Sequence, residues 1–459
     1  MNMEKRRKLV LIGAGSAVFA KGLVADFIQA KFGKWEIALC DINPEILDAI
    51  TRLAKKMVEQ KDADIVITSS TDRKELLPGA DFVVTTIAVG GRRAWEQDVI
   101  IPRKYGIYQP VGDSIMPGGI SRAQRMIPAM IEIAKDVEAL CPNAYFFNYS
   151  NPMTSIVTAV RRATNVKMIG LCHGVIYGQR YLARMMGVDV SRITTMGVGL
   201  NHLTFFYDIR VDGEDAKPIL RNIVEQQRAD AAKNGHEYNF FNSQLDDTEI
   251  PHFMDNPLSW ELFDRYGALP AVVDRHAVEF FPERYPNGKF YGRTLGIDAF
   301  PIEEVIARGE TTYRNMLSQG EGEGEVEAAL FKRSEGEHEQ LVEMIKSLIL
   351  DERKDFSVNV PNEGAVAGLP NDAVLELPAV ATACGFRPMV VNDFPATLNG
   401  IIARRLAPVE ATVQAALTGD KKLWVEAMLL DGAVSDENVA KQLVDDFIAE
   451  HGKYLPQYK

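Results

Sequence analysis

Cys172 and His173 follow an apolar run, Met168 to Leu171, and Asn148 and Asn151 follow another, Ala144 to Phe147. Each run reads as a strand that ends abruptly in side chains able to hydrogen-bond or bind metal. Asn201-His202 stands between two further strand-like runs, Ile193 to Val198 and Phe205 to Val211. Cys and His are both good ligands for a divalent transition metal. Cys172 and His202 are too far apart in sequence for a zinc finger, whose ligands come in close pairs. Alone, Cys172 reads as a small buried hydrophobe and His202 as a structural hydrogen-bonder. Further on, the stretch Glu249 to Pro282 holds a second ionisable cluster, with Tyr266, Pro270, Asp274-Arg275-His276 and Glu279, or else a surface turn. A turn-rich loop, Gly112-Asp113-Ser114 through Pro117-Gly118-Gly119, offers Asp113 to orient a ligand or a metal-bound water, or to cap a helix.

The N-terminal residues carry a different chemistry. Lys8 to Ile12 is a short β-rich run ending in Gly13-Ala14-Gly15-Ser16, with a helical pattern through Phe27. Glycines there permit a tight turn and close approach of backbone to a pyrophosphate, which sits on the helix N-terminus. Val18 stands where the pattern has its third glycine, so a plain glycine turn competes with this reading. The next strand, Glu36 to Cys40, ends in Asp41, which can accept from both ribose hydroxyls and repels a 2′-phosphate. The pair favours NAD over NADP.

These groups need a frame that brings them together. Asn43-Pro44 opens a helix to about Gln60, Asp64 to Thr68 suits a third strand, and Ser70 to Leu77 a short helix. Asp81 to Ile87 is nearly unbroken apolar, as for a strand buried on both faces. Such alternation predicts an α/β fold with a Rossmann-like doubly wound parallel sheet. In such a sheet the carboxyl ends of the strands form the ligand crevice, so Asn148, Asn151, Cys172 and His173 arrive at one place. Residues 1–200 are expected to bind the dinucleotide. Residues 201–459, more helical and charged, are expected to form a C-terminal α+β part that completes the active site and serves substrate binding and dimerisation. Gln319 to Gln340 reads as a solvated loop and helix start. Val358 to Gly364 and Glu376 to Pro378 read as short strands or turns, and Pro395 to Arg405, Val409 to Leu417 and Lys421 to Leu430 as separate helices.

The totals exclude several classes. With 459 residues, 46% hydrophobic and 25% charged, the composition is that of an ordinary globular protein. A net charge of −12 argues against a nucleic-acid partner. Four cysteines in so long a chain give no disulfide framework, and a reduced, cytoplasmic setting is expected. No run of about 18 apolar residues predicts a membrane helix.

The combined markers resemble glycoside hydrolase family 4, the NAD- and divalent-metal-dependent glycosidases. They are Gly13-Ala-Gly15-Ser16 with Phe19, Asp41-Ile-Asn43-Pro, Gly112-Asp113 with Pro117-Gly118-Gly119, Asn148 with Asn151-Pro152, Cys172-His173-Gly174, Asn201-His202, and Asn362-Glu-Gly364 with Leu369-Pro370. The resemblance spans nearly the whole chain. It implies NAD held by Gly13, Gly15, Ser16, Phe19, Asp41, Asn43 and Asn148. It also implies a divalent metal, manganese in such enzymes, held by Cys172 and His202. NAD takes hydride from C3 of the sugar, the ketone acidifies the C2 proton, a base removes it, and the aglycone leaves. Water then adds and hydride returns. The metal stabilises the enolate as a Lewis acid. Aligned on Pro270, Asp274 is the expected base, with Tyr266 as fallback. His173 helps protonate the leaving oxygen or grips a hydroxyl.

The resemblance also speaks to the substrate. Members with Asp or Asn after the metal cysteine act on 6-phosphoglycosides, whereas His, as in His173, goes with unphosphorylated α-glycosides. Phospho-specific members carry an arginine three residues before an Asp; here Trp95 precedes Asp98. Cys-His-Gly resembles members that act on α-glucuronides or α-galacturonides, with α-galactosides, α-glucosides and sulfonated sugars as alternatives. A uronate needs a cation, for which Arg92, Arg93, Arg122 and Arg275 are candidates, beside Asn151, His173 and Asp113 as further substrate contacts. The partner is thus a small carbohydrate, and family members form homodimers or homotetramers. Two rivals are a lactate/malate-like dehydrogenase sharing the glycine turn and Asp41, and a non-catalytic sugar or NAD sensor.

Overall fold

Arg7–Ile12 forms β1, whose Leu9, Val10 and Leu11 are all fully buried, and each neighbour repeats that pattern. The computed structural model describes residues 5–16, 19–233, 256–322, 326, 328, 331 and 340–459. Strands β2 (Trp35–Cys40), β3 (Ile65–Ser70), β4 (Phe82–Thr85), β5 (Tyr145–Asn148) and β6 (Met168–Gly170) run parallel to β1 in the order β3-β2-β1-β4-β5-β6. Strands covered by helices on both faces read as continuous apolar runs rather than alternating ones. The order reverses between β1 and β4, and a crevice opens there at the carboxyl ends.

The sheet does not stop at β6. Asp355–Pro361 adds antiparallel to β6 with Asn359 opposite Gly170, and Val374–Thr382 follows. Next come β7 (Ile193–Leu200) and β8 (Leu203–Val211), and Leu269–Pro270 closes that edge. The segments expected as short strands or turns around Val358 and Glu376 are therefore full strands at the middle of the sheet. Gly170 permits this junction, because a Cβ there would lie 2.8 Å from the Asn359 Cβ. The expected boundary at residue 200 falls in the hairpin between β7 and β8, so the two halves share one sheet.

Two helices depart from expectation. The helix Met116–Leu140 already contains Pro117-Gly118-Gly119, which the sequence suggested as loop. Proline suits the first turn. Gly119 lets the preceding loop pack on the helix, since a Cβ would come 2.4 Å from the Ser114 carbonyl carbon. Ala396–Thr418 is one helix through Pro408, not two. Proline removes a helix hydrogen bond there, but Ile402, Pro408, Val409 and Val413 are all buried and hold both sides on the core. Most of the expected loop Gln319 to Gln340, the start of the second cluster (249–255) and Val18 lie outside the described residues. Among the described residues no helix is long and apolar enough to cross a membrane.

Candidate active site

At the end of β1 the backbone makes the turn that the glycines suggested. Gly13 has φ +92°, and a Cβ there would lie 2.9 Å from the Ile87 nitrogen. Gly15 donates its N–H to Asp41 Oδ2 at 2.7 Å, and Asn43 donates to Asp41 Oδ1 at 2.9 Å. Asp41 thus ties the turn to the end of β2 while keeping further lone pairs open. Ser16 accepts from the Phe19 N–H at 3.4 Å, where the next helix begins, and the Phe19 ring packs 4.4 Å from Tyr149. Asn43 has its side-chain oxygen committed, capping the helix Pro44–Gln60 by accepting from Glu45 and Ile46.

Asn148 needs a correction. Expected to touch the cofactor, it is fully buried at the end of β5. Its Oδ1 accepts from Thr85 and from the Ser150 N–H, and its Nδ2 donates to the Ser150 carbonyl. Every group of its amide serves the fold of the loop that carries Asn151. A buried amide with all its partners internal holds backbone rather than ligand.

About the second group of residues, His202 is the hub. It sits in the two-residue turn between β7 and β8 with φ +67°, a strained backbone for a side chain of its size. Below the turn, buried Glu376 accepts from Thr204 Oγ1 at 2.5 Å and Asn359 Nδ2 at 3.1 Å. His202 Nδ1 lies 2.7 Å from Ser114 Oγ and 3.6 Å from Asp113 Oδ1. Ser114 Oγ donates to Asp113 Oδ1 at 2.7 Å, and Asn151 Nδ2 donates to Asp113 Oδ2 at 3.0 Å. On another side His202 meets Cys172, and its ring centroid lies 4.0 Å from that of His276.

Charge here is arranged to attract a cation. Burial alone would lower the His202 pKa, but the charge of Cys172 and the hydrogen bond to Asp113 raise it well above the ordinary value. Burial would likewise raise Asp113, yet the hydrogen bond and charge of His202, then His276 and Arg122, hold it well below the carboxylate range. A field that keeps a proton on a buried imidazole also favours a metal ion in its place. The ligand atoms of Asp113, His202 and His276 all lie within 4.8 Å of one another. Buried Nδ1 of His276 and Oδ1 of Asn151 have no hydrogen-bond partner. Buried polar atoms are nearly always paired, so these two remain available to a ligand. Burial pushes the thiols of Cys40 and Cys141 up to about 11.

The second ionisable cluster divides in a way that sequence did not show. Asp274, expected as the base, is fully buried and turned to the start of the helix Pro257–Tyr266. Its carboxylate accepts from the Leu258 N–H at 2.8 Å, the Ser259 N–H at 2.7 Å and the Ser259 hydroxyl at 2.6 Å. This is a cap, satisfying orphan helix donors, and it corrects the expectation. Tyr266, the fallback, ends the same helix, about 13 Å from that cap at 1.5 Å per residue, and packs against the core. His276, which sequence reasoning passed over, faces His202 instead. Burial and the charge of His202 lower its pKa well below the ordinary value, so it is neutral. Glu279, pushed up to about 8 chiefly by burial, accepts from the Val111 and Gly112 N–H groups at 2.8 Å and clamps the Asp113 loop.

The candidate arginines separate as well. Arg92 stacks on Tyr313 at 5.0 Å, where the charges of Glu45 and Asp41 are also felt, so it belongs to the glycine-turn end and not beside His202. Exposed Arg93 is paired with Glu96 and Glu310. Arg122 donates to the Asn151 carbonyl at 3.0 Å and lies 5.9 Å over Trp95, whose indole N–H donates to Val111 O. Arg275 feels Asp113 and Glu279, and its buried Nε has no hydrogen-bond partner. His173 stands at the start of the helix Gly174–Met186 with its side chain exposed and uncommitted to capping the helix.

A dinucleotide-type fold with a Cys–His centre at its strand ends defines a class, and comparison with known proteins gives the family. The description "Family 4 glycosyl hydrolase" matches residues 8–188, and "Family 4 glycosyl hydrolase C-terminal domain" matches residues 197–434. An alpha-galactosidase of Bacillus subtilis (strain 168) is 29% identical over 99% of this chain and 100% of its own. An alpha-galacturonidase of Thermoanaerobacterium saccharolyticum is 30% identical over 98% of this chain and 97% of its own. Among solved structures, a 6-phospho-alpha-glucosidase from gut microorganisms in complex with NAD and Mn2+ superposes with a TM-score of 0.81 at 21% identity. That match covers 99% of this chain and 100% of the other. The chain belongs to family 4 of the glycosyl hydrolases and is a glycosidase.

Proposed function

We propose that the protein hydrolyses an unphosphorylated α-glycoside of a uronic acid, using NAD and a divalent metal, with Mn2+ the best fit. The observation that carries the uronide is Arg275, a guanidinium that feels the charge of Asp113 and whose buried Nε is unpaired. Arginine matches a carboxylate as a planar, charge-assisted donor. Trp95, in place of the phosphate-binding arginine of phospho-specific relatives, and the alpha-galacturonidase relatives support the same reading.

The residues fit the two cofactors. Gly13, Gly15, Ser16 and Phe19 form the turn that would receive the pyrophosphate. It closes only without side chains, since a Cβ at Gly13 would meet the Ile87 nitrogen and one at Gly15 the Asp41 carboxylate. Asp41 then receives the ribose, and Ile42, 91% exposed beside it, offers an apolar face for the base. Cys172 and His202 hold the metal, and Mn2+ is proposed because a solved relative carries it together with NAD. Bound there, NAD would supply a hydride acceptor and the metal a Lewis acid. His276, neutral and facing the cluster, takes the proton from C2. Asn151 Oδ1 accepts from a sugar hydroxyl, and His173 grips another beside the leaving oxygen. Residues 1–200 would thus supply the nucleotide end and the metal cysteine, and residues 201–459 the metal histidine, the base and the anion clamp. A homodimer or homotetramer in the cytoplasm completes the proposal, and light scattering on the purified protein tests the assembly.

The test is a panel of p-nitrophenyl α-glycosides, including the α-glucuronide and α-galacturonide, with NAD, Mn2+ and a thiol reductant. Hydrolysis of a uronide that stops when NAD or metal is withheld is the expected result. Build-up of NADH without cleavage would move the activity to a dehydrogenase.

A further inference from the structure

The hydrogen bonds around His202 have a direction. Asp113 Oδ1 is a carboxylate oxygen and can only accept, and Ser114 Oγ lies 2.7 Å away and donates its single hydrogen there. A lone pair of the same Oγ therefore faces His202 Nδ1 at 2.7 Å, and that contact is a hydrogen bond only if Nδ1 carries a hydrogen. Asn151 Nδ2 donates to the other carboxylate oxygen at 3.0 Å, so the carboxylate is held from both sides. Ser114 is held too, because Gly119 allows the helix behind it to approach its backbone. We propose that Asp113 and Ser114 are positioning residues that fix His202 in the Nδ1–H tautomer and leave Nε2 as its metal-binding atom.

The inference rests on the metal site of the proposed function and adds how that site is set. A metal-binding histidine needs an outer partner to fix its ring and tautomer, and losing that partner typically lowers metal affinity about 10–100-fold. A serine hydroxyl between carboxylate and imidazole does this only if the carboxylate stays an obligate acceptor. With Asp113→Asn, the amide can turn its N–H toward Ser114. The chain of donors then reverses, Ser114 donates to Nδ1, and the hydrogen moves to Nε2, where it blocks the metal. With Ser114→Ala, Asp113 Oδ1 is 3.6 Å from Nδ1 and can close the gap. That loss should be the smaller one.

The experiment is a calorimetric Mn2+ titration, with NAD present, of the wild type and of the D113N, S114A and S114T proteins, each first shown to bind NAD. The expected order is S114T within about twofold of wild type, S114A weaker, and D113N weakest by about 10–100-fold. D113N binding Mn2+ as tightly as wild type would overturn the tautomer assignment, as would S114T falling as far as S114A. If D113N fails to bind NAD, the contrast between S114A and S114T decides. Wild type that binds NAD but no Mn2+ would overturn the metal reading and this inference together. A loss confined to D113N and S114A leaves the metal reading standing.

Discussion

The two ends of the crevice are built by different means. At the glycine-turn end the working parts are mostly backbone: Gly13 and Gly15 give space, and Asp41 fixes the turn by accepting from the Gly15 and Asn43 N–H groups. These residues lie within one strand–turn–helix–strand stretch. At the other end the parts are side chains from separate segments: Ser114, Asp113, Cys172 and His276 around the His202 imidazole, and Asn151 and Arg275 toward Asp113. A backbone cradle is a local property of sequence, whereas a side-chain centre exists only once the sheet has joined β6 and β7 through the strands between them. The first end should therefore tolerate side-chain changes outside the glycines, and the second should fail at single residues.

The largest break should come at the side-chain end. Cys172→Ser or His202→Ala should lower hydrolysis about a thousandfold, the scale of several kcal/mol of Lewis-acid stabilisation, and abolish Mn2+ binding while NAD still binds. Full activity in either variant would remove the metal from that end. Next, Arg275→Met should lower kcat/KM for the uronide about a hundredfold and change a neutral α-galactoside little, since only the charged sugar loses its partner. Equal losses on both sugars would show that Arg275 supports the fold instead.

The cradle gives a smaller effect. Gly13→Ala forces a side chain into φ +92° against the Ile87 nitrogen, and NAD affinity should fall about tenfold with metal binding kept. The smallest effect on activity belongs to Asp274→Asn. It should keep activity within about threefold while the unfolding free energy falls by about 1–2 kcal/mol of lost capping, read as a lower midpoint of thermal unfolding. A collapse of kcat with unchanged stability would restore Asp274 as the base. Burial pushes Asp274 up to about 7, against an ordinary value of 3.8. Its folded form thus holds a proton that the unfolded chain has lost between those values. Its contribution to stability is present near pH 4 and is lost as pH rises through 7. The asparagine variant should lack that slope.

The same contrast explains what was legible in the sequence. Gly13, Gly15 and Asp41 were readable because turn chemistry is local. Cys172 and His202, read alone as a buried hydrophobe and a structural hydrogen-bonder, were paired only by the family resemblance, and the fold brings them into contact. Asp274, Arg275 and His276 are consecutive on a five-residue helix, where each step turns about 100°, so only the fold decides which one faces the site. Asn256-Pro257 reads in sequence as a helix start with its own cap, and only the structure shows that Asp274 accepts from the first helix N–H groups instead. Asn148 misled for the opposite reason, since a polar strand end looks the same whether it binds a ligand or folds its own loop. Pro408 looked like a helix break because the burial that offsets it comes from distant segments.

The most direct test is hydrolysis of the cleaved uronide in D2O, with the released sugar read by proton NMR. Removal of the C2 proton beside the Cys172–His202 centre predicts deuterium at C2, appearing only when both NAD and metal are present. Cleavage that leaves C2 fully protonated would contradict the account.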